Sequence, residues 1–161
     1  MKYTIFLILL VAGAAVSAAA QQEYKTYTND RFGFSVAYPA DYKAGEEPEN
    51  DDGLVFTSPD GTAEIRVWAG YNVLDQDLNA KLSSDSAAVD GKIKYHLIKN
   101  NNGYFSSEKD GMIYYQRTLF RVNSEVFYNV RIRYPKSQKK NFDAVVKRVV
   151  ESLRYDPTFE V

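Results

Sequence analysis

Alternation of apolar and polar side chains is strongest in the last third of the chain. From Val126 to Tyr134 every second residue is apolar, and Asn129, Arg131 and Arg133 lie between them. Because side chains alternate across a strand, this period of two predicts a strand with one buried face. Together with the preceding run from Met112, it predicts a long β-hairpin around which the domain is organised.

A helical stripe follows this hairpin directly. Its apolar residues recur at i, i+3, i+4, i+7, i+8 and i+11, namely Phe142, Val145, Val146, Val149, Val150 and Leu153. Burying six such side chains contributes on the order of 10 kcal/mol before conformational entropy is counted. We therefore expect a C-terminal amphipathic helix packed on the sheet.

Shorter alternating runs predict the other elements. The expected strands are Tyr24–Thr28, Gly33–Tyr38, Leu54–Ser58, Thr62–Ala69, Lys92–Lys99 and Tyr104–Ser107. A modest helix is expected where Leu74, Leu78 and Leu82 recur every four residues, with Asp75 and Asp77 near its start. The pattern predicts an α+β fold, an antiparallel sheet flanked by helices.

The register of the long hairpin decides which face carries its charges. A three-residue loop, residues 123–125, would place Val122 opposite Val126 and Phe120 opposite Tyr128. A two-residue loop would turn Arg117 and Arg121 towards the core, at a desolvation cost for each unpaired charge. The three-residue loop therefore predicts a reverse face that is basic and aromatic, made of Arg117, Arg121, Arg131, Arg133, Tyr115 and Phe127. If the Leu74–Leu82 helix covers that face the arginines are structural, and if it is open they form an interface.

Cations also precede the last helix. Three lysines, Lys136, Lys139 and Lys140, place positive charge at the positive end of the helix dipole, which is unfavourable. This placement is either incidental on an exposed turn, or the lysines bind an anion together with the nearby Arg133. We include the three lysines in the candidate partner-binding surface.

The N-terminus has the pattern of an export signal. An apolar run from Tyr3 to Val16 ends in Ser17-Ala18-Ala19-Ala20, an A-x-A cleavage pattern, so residues 1–20 are expected to be a signal peptide cleaved after Ala20. The run is shorter than the ~20 residues that span a bilayer. The chain contains no cysteine, which excludes a lipid anchor, disulfides and thiol chemistry. We expect a single domain over residues 21–161, periplasmic or secreted.

Charge is distributed unevenly. Residues 21–91 contain 5 Lys and Arg against 14 Asp and Glu, whereas residues 92–161 contain 14 against 7. We expect the two halves to compensate each other within one fold; a surface for an anionic partner is the alternative. Export and a near-neutral net charge of −1 argue against nucleic acid.

Three candidates for chemistry are weak. The acidic stretch from Glu46 to Asp52 lacks EF-hand spacing, so a solvated loop is favoured over calcium. His96, the only histidine, has lysines as its nearest neighbours on one strand face, which favours a surface residue over a catalytic base. Trp68, the only tryptophan, is expected to pack under a loop or helix, with a ligand platform as the alternative.

Several segments resemble the exported PsbP-like domains of bacteria. They are the opening Tyr27–Pro39, the strand Gly53–Ser58, the Asp60-Gly61 hairpin, and the ending Phe142–Val146 and Glu151–Leu153. The resemblance implies an α/β/α sandwich on an antiparallel sheet, shared with photosystem PsbP subunits and a Ran-binding nuclear import factor. It also implies binding or assembly rather than catalysis, and it carries no catalytic motif or cofactor.

Two functions are therefore expected from the sequence. The first is a non-catalytic exported domain that recognises a protein or envelope component through the basic and aromatic sheet face. The alternative is a hydrolase that uses the carboxylates of the 46–52 loop, with or without a metal.

Overall fold

The computed structural model describes residues 22–161, so the expected signal peptide lies outside the described range. The elements in chain order are β1 (Tyr24–Asn29), β2 (Phe34–Pro39), β3 (Lys43–Ala44), β4 (Gly53–Thr57), β5 (Glu64–Tyr71), α1 (Leu78–Val89), β6 (Lys92–Lys99), β7 (Asn102–Lys109), β8 (Met112–Arg121), β9 (Val126–Pro135), α2 (Lys139–Ser152) and β10 (Arg154–Tyr155). The predicted strands are all present within a few residues of their expected bounds. No helix within residues 22–161 is long and apolar enough to cross a membrane.

Antiparallel pairing joins these strands into two sheets. The larger has the order β3-β4-β5-β9-β8-β7-β6, and the smaller has the order β1-β2-β10. Helix α1 packs on β6, β7 and β8, whereas α2 packs on β8, β9 and the small-sheet strand β2. The larger sheet thus lies between α1 on one face and α2 with the small sheet on the other, an α+β sandwich.

The main core lies on the α2 face. The alternating side chains of β9 are fully buried there, with Val126, Tyr128, Val130 and Ile132 all at 0% exposure. They meet the inward side of β5 and the predicted stripe of α2, in which Phe142, Val146, Val149, Val150 and Leu153 are buried. The predicted core face of β9 and the helical stripe are confirmed, with Val145 only partly buried. The other face of β9 is not open as predicted, because Phe127 and Asn129 on it are buried as well.

Helix α1 begins later than predicted and is longer. Its N-cap is Asp77, whose carboxylate accepts the Ala80 amide at 2.7 Å, and Leu74 stays 72% exposed before the helix. Asp75 has a left-handed φ of 48°, which is incompatible with a helix running through it. The helix continues through residues 83–86, although their polar side chains favour an end there.

The predicted register of the long hairpin is wrong by one residue. Phe120 pairs with Phe127 and Leu119 with Tyr128, because the connection is a four-residue loop, Val122–Glu125. Val122–Ser124 form a 3-10 turn, and Glu125 closes it with a left-handed φ of 50°. This shift turns Arg117 and Arg121 to the α2 face and leaves Arg131 and Arg133 on the α1 face, so the four arginines do not share a surface.

Candidate functional site

Arg117 and Arg121 fix the C-terminal end of the chain. Arg117 donates from Nη1 to the carbonyls of Val150 (2.6 Å) and Leu153 (3.2 Å), at the end of α2, and from Nη2 to Asn102 (2.8 Å). Arg121 donates to the carbonyls of Phe159 and Pro157 at 2.9 and 3.0 Å. The carbonyls at the end of α2 carry partial negative charge and lack intrahelical donors, so Arg117 pairs with them. Arg121 pairs instead with carbonyls of the segment that follows β10.

Arg131 lies on the opposite face under α1. Its Nε donates to Gln116 at 2.7 Å and its Nη2 to the Asp85 carbonyl at 3.3 Å. Its guanidinium carbon lies 5.3 Å from the ring centre of Trp68 and 5.7 Å from that of Phe105. Two aromatic rings and two hydrogen bonds therefore hold Arg131 in one orientation.

The other predicted site residues are dispersed. Arg133 pairs across the sheet with Tyr114 and Glu64, and Phe127 is buried against Phe120 with ring centres 4.5 Å apart. Tyr115 is half-buried on the α2 face, 6.5 Å from Tyr95 between ring centres.

The three lysines lie at the start of α2 on the surface. Lys136 forms an ion pair with Glu108 at 2.9 Å, and Lys139 pairs with Asp143 one turn further along at 2.7 Å. Lys140 is exposed next to them. The three lysines follow the end of β9 along the chain, whereas Arg131 lies near the middle of that strand.

A cleft opens beside Arg131, where α1 no longer covers the sheet. It has a volume of about 480 Å³ and lies between the β4–β5 hairpin, the acidic loop and α1. Its charged and aromatic lining consists of Arg66, Trp68, Arg131, Asp85, Glu46 and Asp52. Here a basic and aromatic part of the sheet face is open to a ligand.

Two arginines stand side by side on the floor of this cleft. Arg66 of β5 is directly opposite Arg131 of β9 in the antiparallel register. Like charges in directly opposite positions destabilise a sheet. Arg66 forms an ion pair with Glu64 at 3.8 Å, and the Arg66 side chain is 56% exposed. The pair thus offers two cationic groups towards the cleft.

The adjacent carboxylate of Asp85 is already engaged. Its two oxygens accept hydrogen bonds from Lys81 and from the fully buried Gln116, whose amide also contacts Thr118 at 2.9 Å. Burial lowers the pKa of Arg131, the charge of Asp85 opposes this, and the neighbouring charge of Arg66 lowers the pKa further. The Arg66 effect on this pKa is the repulsion expected between two neighbouring cations.

The acidic loop forms the rim of the cleft. It is tied to the rest of the domain by the Asn29 side chain, which donates to the Asp51 carbonyl at 2.9 Å, and by Arg31, which donates to the Asn50 carbonyl. Within residues 22–161, acidic and histidine side chains do not converge in groups of three or more that would hold a metal ion. His96 is exposed on β6.

Solved structures of other proteins have the same arrangement of elements. The chain aligns with the solution structure of cyanobacterial PsbP from Synechocystis over 89% of its length and 98% of that protein, with a TM-score of 0.59 and 9% identity. It aligns with the Ran-binding protein Mog1p of Saccharomyces cerevisiae over 84% and 96%, with a TM-score of 0.56 and 13% identity. The chain has the PsbP/Mog1 fold.

A third solved structure with a similar fold is that of LpqN. LpqN of Mycobacterium tuberculosis, described as involved in cell envelope biogenesis, aligns with 84% of this chain and 91% of its own at a TM-score of 0.51 and 13% identity. No family model matches the sequence, and no curated protein matches it significantly. At these identities the likeness concerns the fold, which confirms the resemblance noted in the sequence.

Sequence reasoning missed Arg66 as a site residue. The alternation of β5 predicts that Arg66 and Trp68 share one face, but it does not predict which strand pairs with β5. Placing β9 beside β5 brings Arg66 against Arg131, a non-local pairing that alternation within either strand does not reveal.

Proposed function

We propose that this chain is a non-catalytic binding domain exported to the periplasm or the cell exterior, and that it recognises an anionic group of an envelope component or protein. The observation that carries the proposal is the Arg66–Arg131 pair beside Trp68 in an open cleft of about 480 Å³. Clefts of this size with a few converging polar groups are typical of small-ligand sites.

The binding mode follows from the two guanidinium groups. An anion placed between Arg66 and Arg131 would relieve their mutual repulsion and accept charge-assisted hydrogen bonds from both. Arg131 is already oriented by Gln116 and the Trp68 ring, so little side-chain entropy is lost on its side of the complex.

The acidic rim narrows the class of ligand. Glu46 and Asp52 line the same cleft and would repel a polyanion such as nucleic acid. The favoured ligand has one anionic group, which would meet the arginines on the floor of the cleft, next to a neutral or cationic group, which would meet the acidic rim. Among envelope constituents, phosphoethanolamine fits this description, because it carries a phosphate and an ammonium group. Among proteins, a carboxylate next to neutral peptide groups fits it.

Trp68 makes the test direct, because it is the only tryptophan of the chain. We expect its fluorescence to change saturably when phosphoethanolamine or an acetylated glutamate peptide is added, with a Kd in the mM range typical of fragments this small. The Arg66→Gln variant should raise that Kd at least about fivefold, whereas Arg154→Gln, an exposed arginine elsewhere, should not.

The relative affinities of the two probes show whether the cleft prefers an envelope headgroup or a protein carboxylate. Binding should also weaken as salt increases, since one partner of the arginine pair is exposed. If Arg66→Gln binds the probes with the wild-type Kd, the cleft is not the binding site. The proposal is also wrong if the tryptophan emission does not saturate with either probe.

A further inference from the structure

Strand β6 is the longer of the two edge strands of the larger sheet, since the strand at the other edge, β3, has only two residues. It ends the strand order, and all eight of its residues are exposed. A sheet edge presents unpaired backbone N–H and C=O groups that pair readily with another chain. The backbone groups of β6 that point away from β7 therefore have no strand partner within the described sheet.

This edge is unusually apolar. Ile93, Tyr95, Leu97 and Ile98 are 49%, 42%, 41% and 38% exposed. A register shift places Ile93, opposite Ser107, and Tyr95, opposite Ser106, on different faces of the strand. Leu97 and Ile98 also point to opposite faces because they are consecutive. On the α2 face, Tyr95 and Leu97 line a shallow cavity of about 340 Å³ together with Tyr104 and Tyr115.

The charged residues of β6 itself are all lysines, of which Lys94 already pairs with Glu108 of β7 at 3.5 Å. Lys92, Lys94 and Lys99 lie on β6, which contains no acidic residue. Full-length antiparallel pairing of two copies of β6 would place Lys92 opposite Lys99 at both ends, and like charges in opposite positions destabilise such a pair. The charges therefore disfavour a second copy of this chain and favour an acidic strand.

We propose that β6 accepts an added strand from a partner protein, namely an extended segment that alternates acidic and apolar residues. Main-chain hydrogen bonds to the edge would supply affinity, as in other cases of strand addition. The shallow cavity would receive an apolar or aromatic side chain against Tyr95 and Tyr104, and acidic side chains would pair with the lysines. This surface is separate from the Arg66–Arg131 cleft and does not depend on it.

The test uses a short labelled peptide that alternates glutamate with valine and tyrosine. We expect saturable binding by fluorescence anisotropy and slowed amide hydrogen exchange in β6 of the domain. The same peptide N-methylated at consecutive residues cannot donate to β6 from either of its edges, and it should bind at least about tenfold more weakly.

A matched pair of charge-reversed variants locates the surface. Lys92→Glu with Lys99→Glu should weaken binding at least about tenfold, whereas Lys25→Glu with Lys147→Glu, exposed lysines on β1 and α2, should change it less than about twofold. Equal binding of the N-methylated peptide would overturn the proposal, as would an equal loss in both variants. Dimerisation of the unliganded protein with β6 protected from exchange would assign the edge to a second copy and overturn it as well.

Discussion

Arg117 satisfies a requirement of the fold rather than of a partner. The last carbonyls of an α-helix have no intrahelical donors, and here Val150 and Leu153 receive theirs from one guanidinium group. The cost of turning a charge towards the core is offset because the charge meets the negative end of the helix dipole and the Asn102 side chain.

Replacement of Arg117 by alanine is therefore expected to destabilise the domain. Removing the donor leaves partly buried carbonyls unpaired, a loss of about 2–4 kcal/mol in the free energy of unfolding. Arg117→Lys should recover only part of this, since a point charge cannot donate in all the directions used. Urea denaturation measures the effect, with exposed Lys147→Ala as the control, expected within about 0.5 kcal/mol of wild type. A wild-type midpoint for Arg117→Ala would show that this arginine does not stabilise the helix end.

The same residue explains why the predicted hairpin register is wrong. On β8 the face that carries Arg117 and Arg121 also carries apolar side chains, and the other face carries Gln116 and Thr118, both fully buried. Alternation identifies a face only when the other side is in water, and here α1 and α2 cover the two sides. The decisive information, that helix carbonyls accept from Arg117, lies 33 residues away along the chain.

At the scale of elements, the position of α1 depends on a close approach to β7. Leu82 is fully buried over Gly103, and a Cβ added to Gly103 would lie 2.6 Å from Leu82 Cδ1 and 3.0 Å from its Cγ. In the sequence Gly103 follows three asparagines, a composition that indicates a turn and gives no sign of a helix contact. Its contact with a helix follows from the packing, and sequence periodicity alone does not reveal it.

Gly103→Ala should accordingly push α1 away from the sheet. Over-packing at such a contact costs about 1–3 kcal/mol of unfolding free energy. Gly70 of β5 offers a matched control, because a Cβ there has no heavy atom within 4 Å, and Gly70→Ala should be neutral or slightly stabilising. Thermal denaturation distinguishes the two variants. Partial recovery in a Gly103→Ala, Leu82→Val double variant would assign the loss to this contact, whereas equal melting of both alanine variants would contradict it.

Elements with one dominant face are predictable from the sequence, and those with two partners are not. The α2 stripe and the β5 alternation follow from local spacing, since Ala63, Ile65, Val67 and Ala69 are all buried. Helix α1 shows how spacing alone misplaces a helix start: Leu74 continues the apolar spacing, but the cap that fixes the start is Asp77.

At the scale of the whole molecule, each helix leaves a different end of the sheet uncovered. Helix α1 packs over β6–β8, which leaves the β4–β5 side open at the Trp68 cleft, whereas α2 packs over β8 and β9, which leaves the β6 side open on the other face. The two open regions also differ in charge, because acidic residues border the cleft whereas β6 carries lysines. Two independent contacts are thus geometrically compatible in one domain.

The stability of the whole fold should fall at alkaline pH. Burial raises the pKa of Tyr134 from its ordinary value of 10.0 to about 12, and the nearby charge of Asp143 adds to this. The folded state then holds the phenolic proton more tightly than the unfolded state, so the contribution is complete below about pH 10 and is lost as the pH rises towards about 12. A pKa difference of this size between the folded and unfolded states corresponds to up to about 3 kcal/mol.

Tyr134→Phe isolates this effect, because it keeps the ring that stacks on Phe142 at 4.7 Å between centres. The variant should lose less unfolding free energy than wild type between about pH 10 and pH 12, by up to about 3 kcal/mol, when urea denaturation is repeated across that range. Tyr71→Phe, which removes a hydroxyl from a residue that is 50% exposed, serves as the control. Parallel pH profiles for wild type and Tyr134→Phe would mean that the Tyr134 hydroxyl ionises as easily in the folded sheet as in water, and that the core on the α2 face admits solvent at the end of β9.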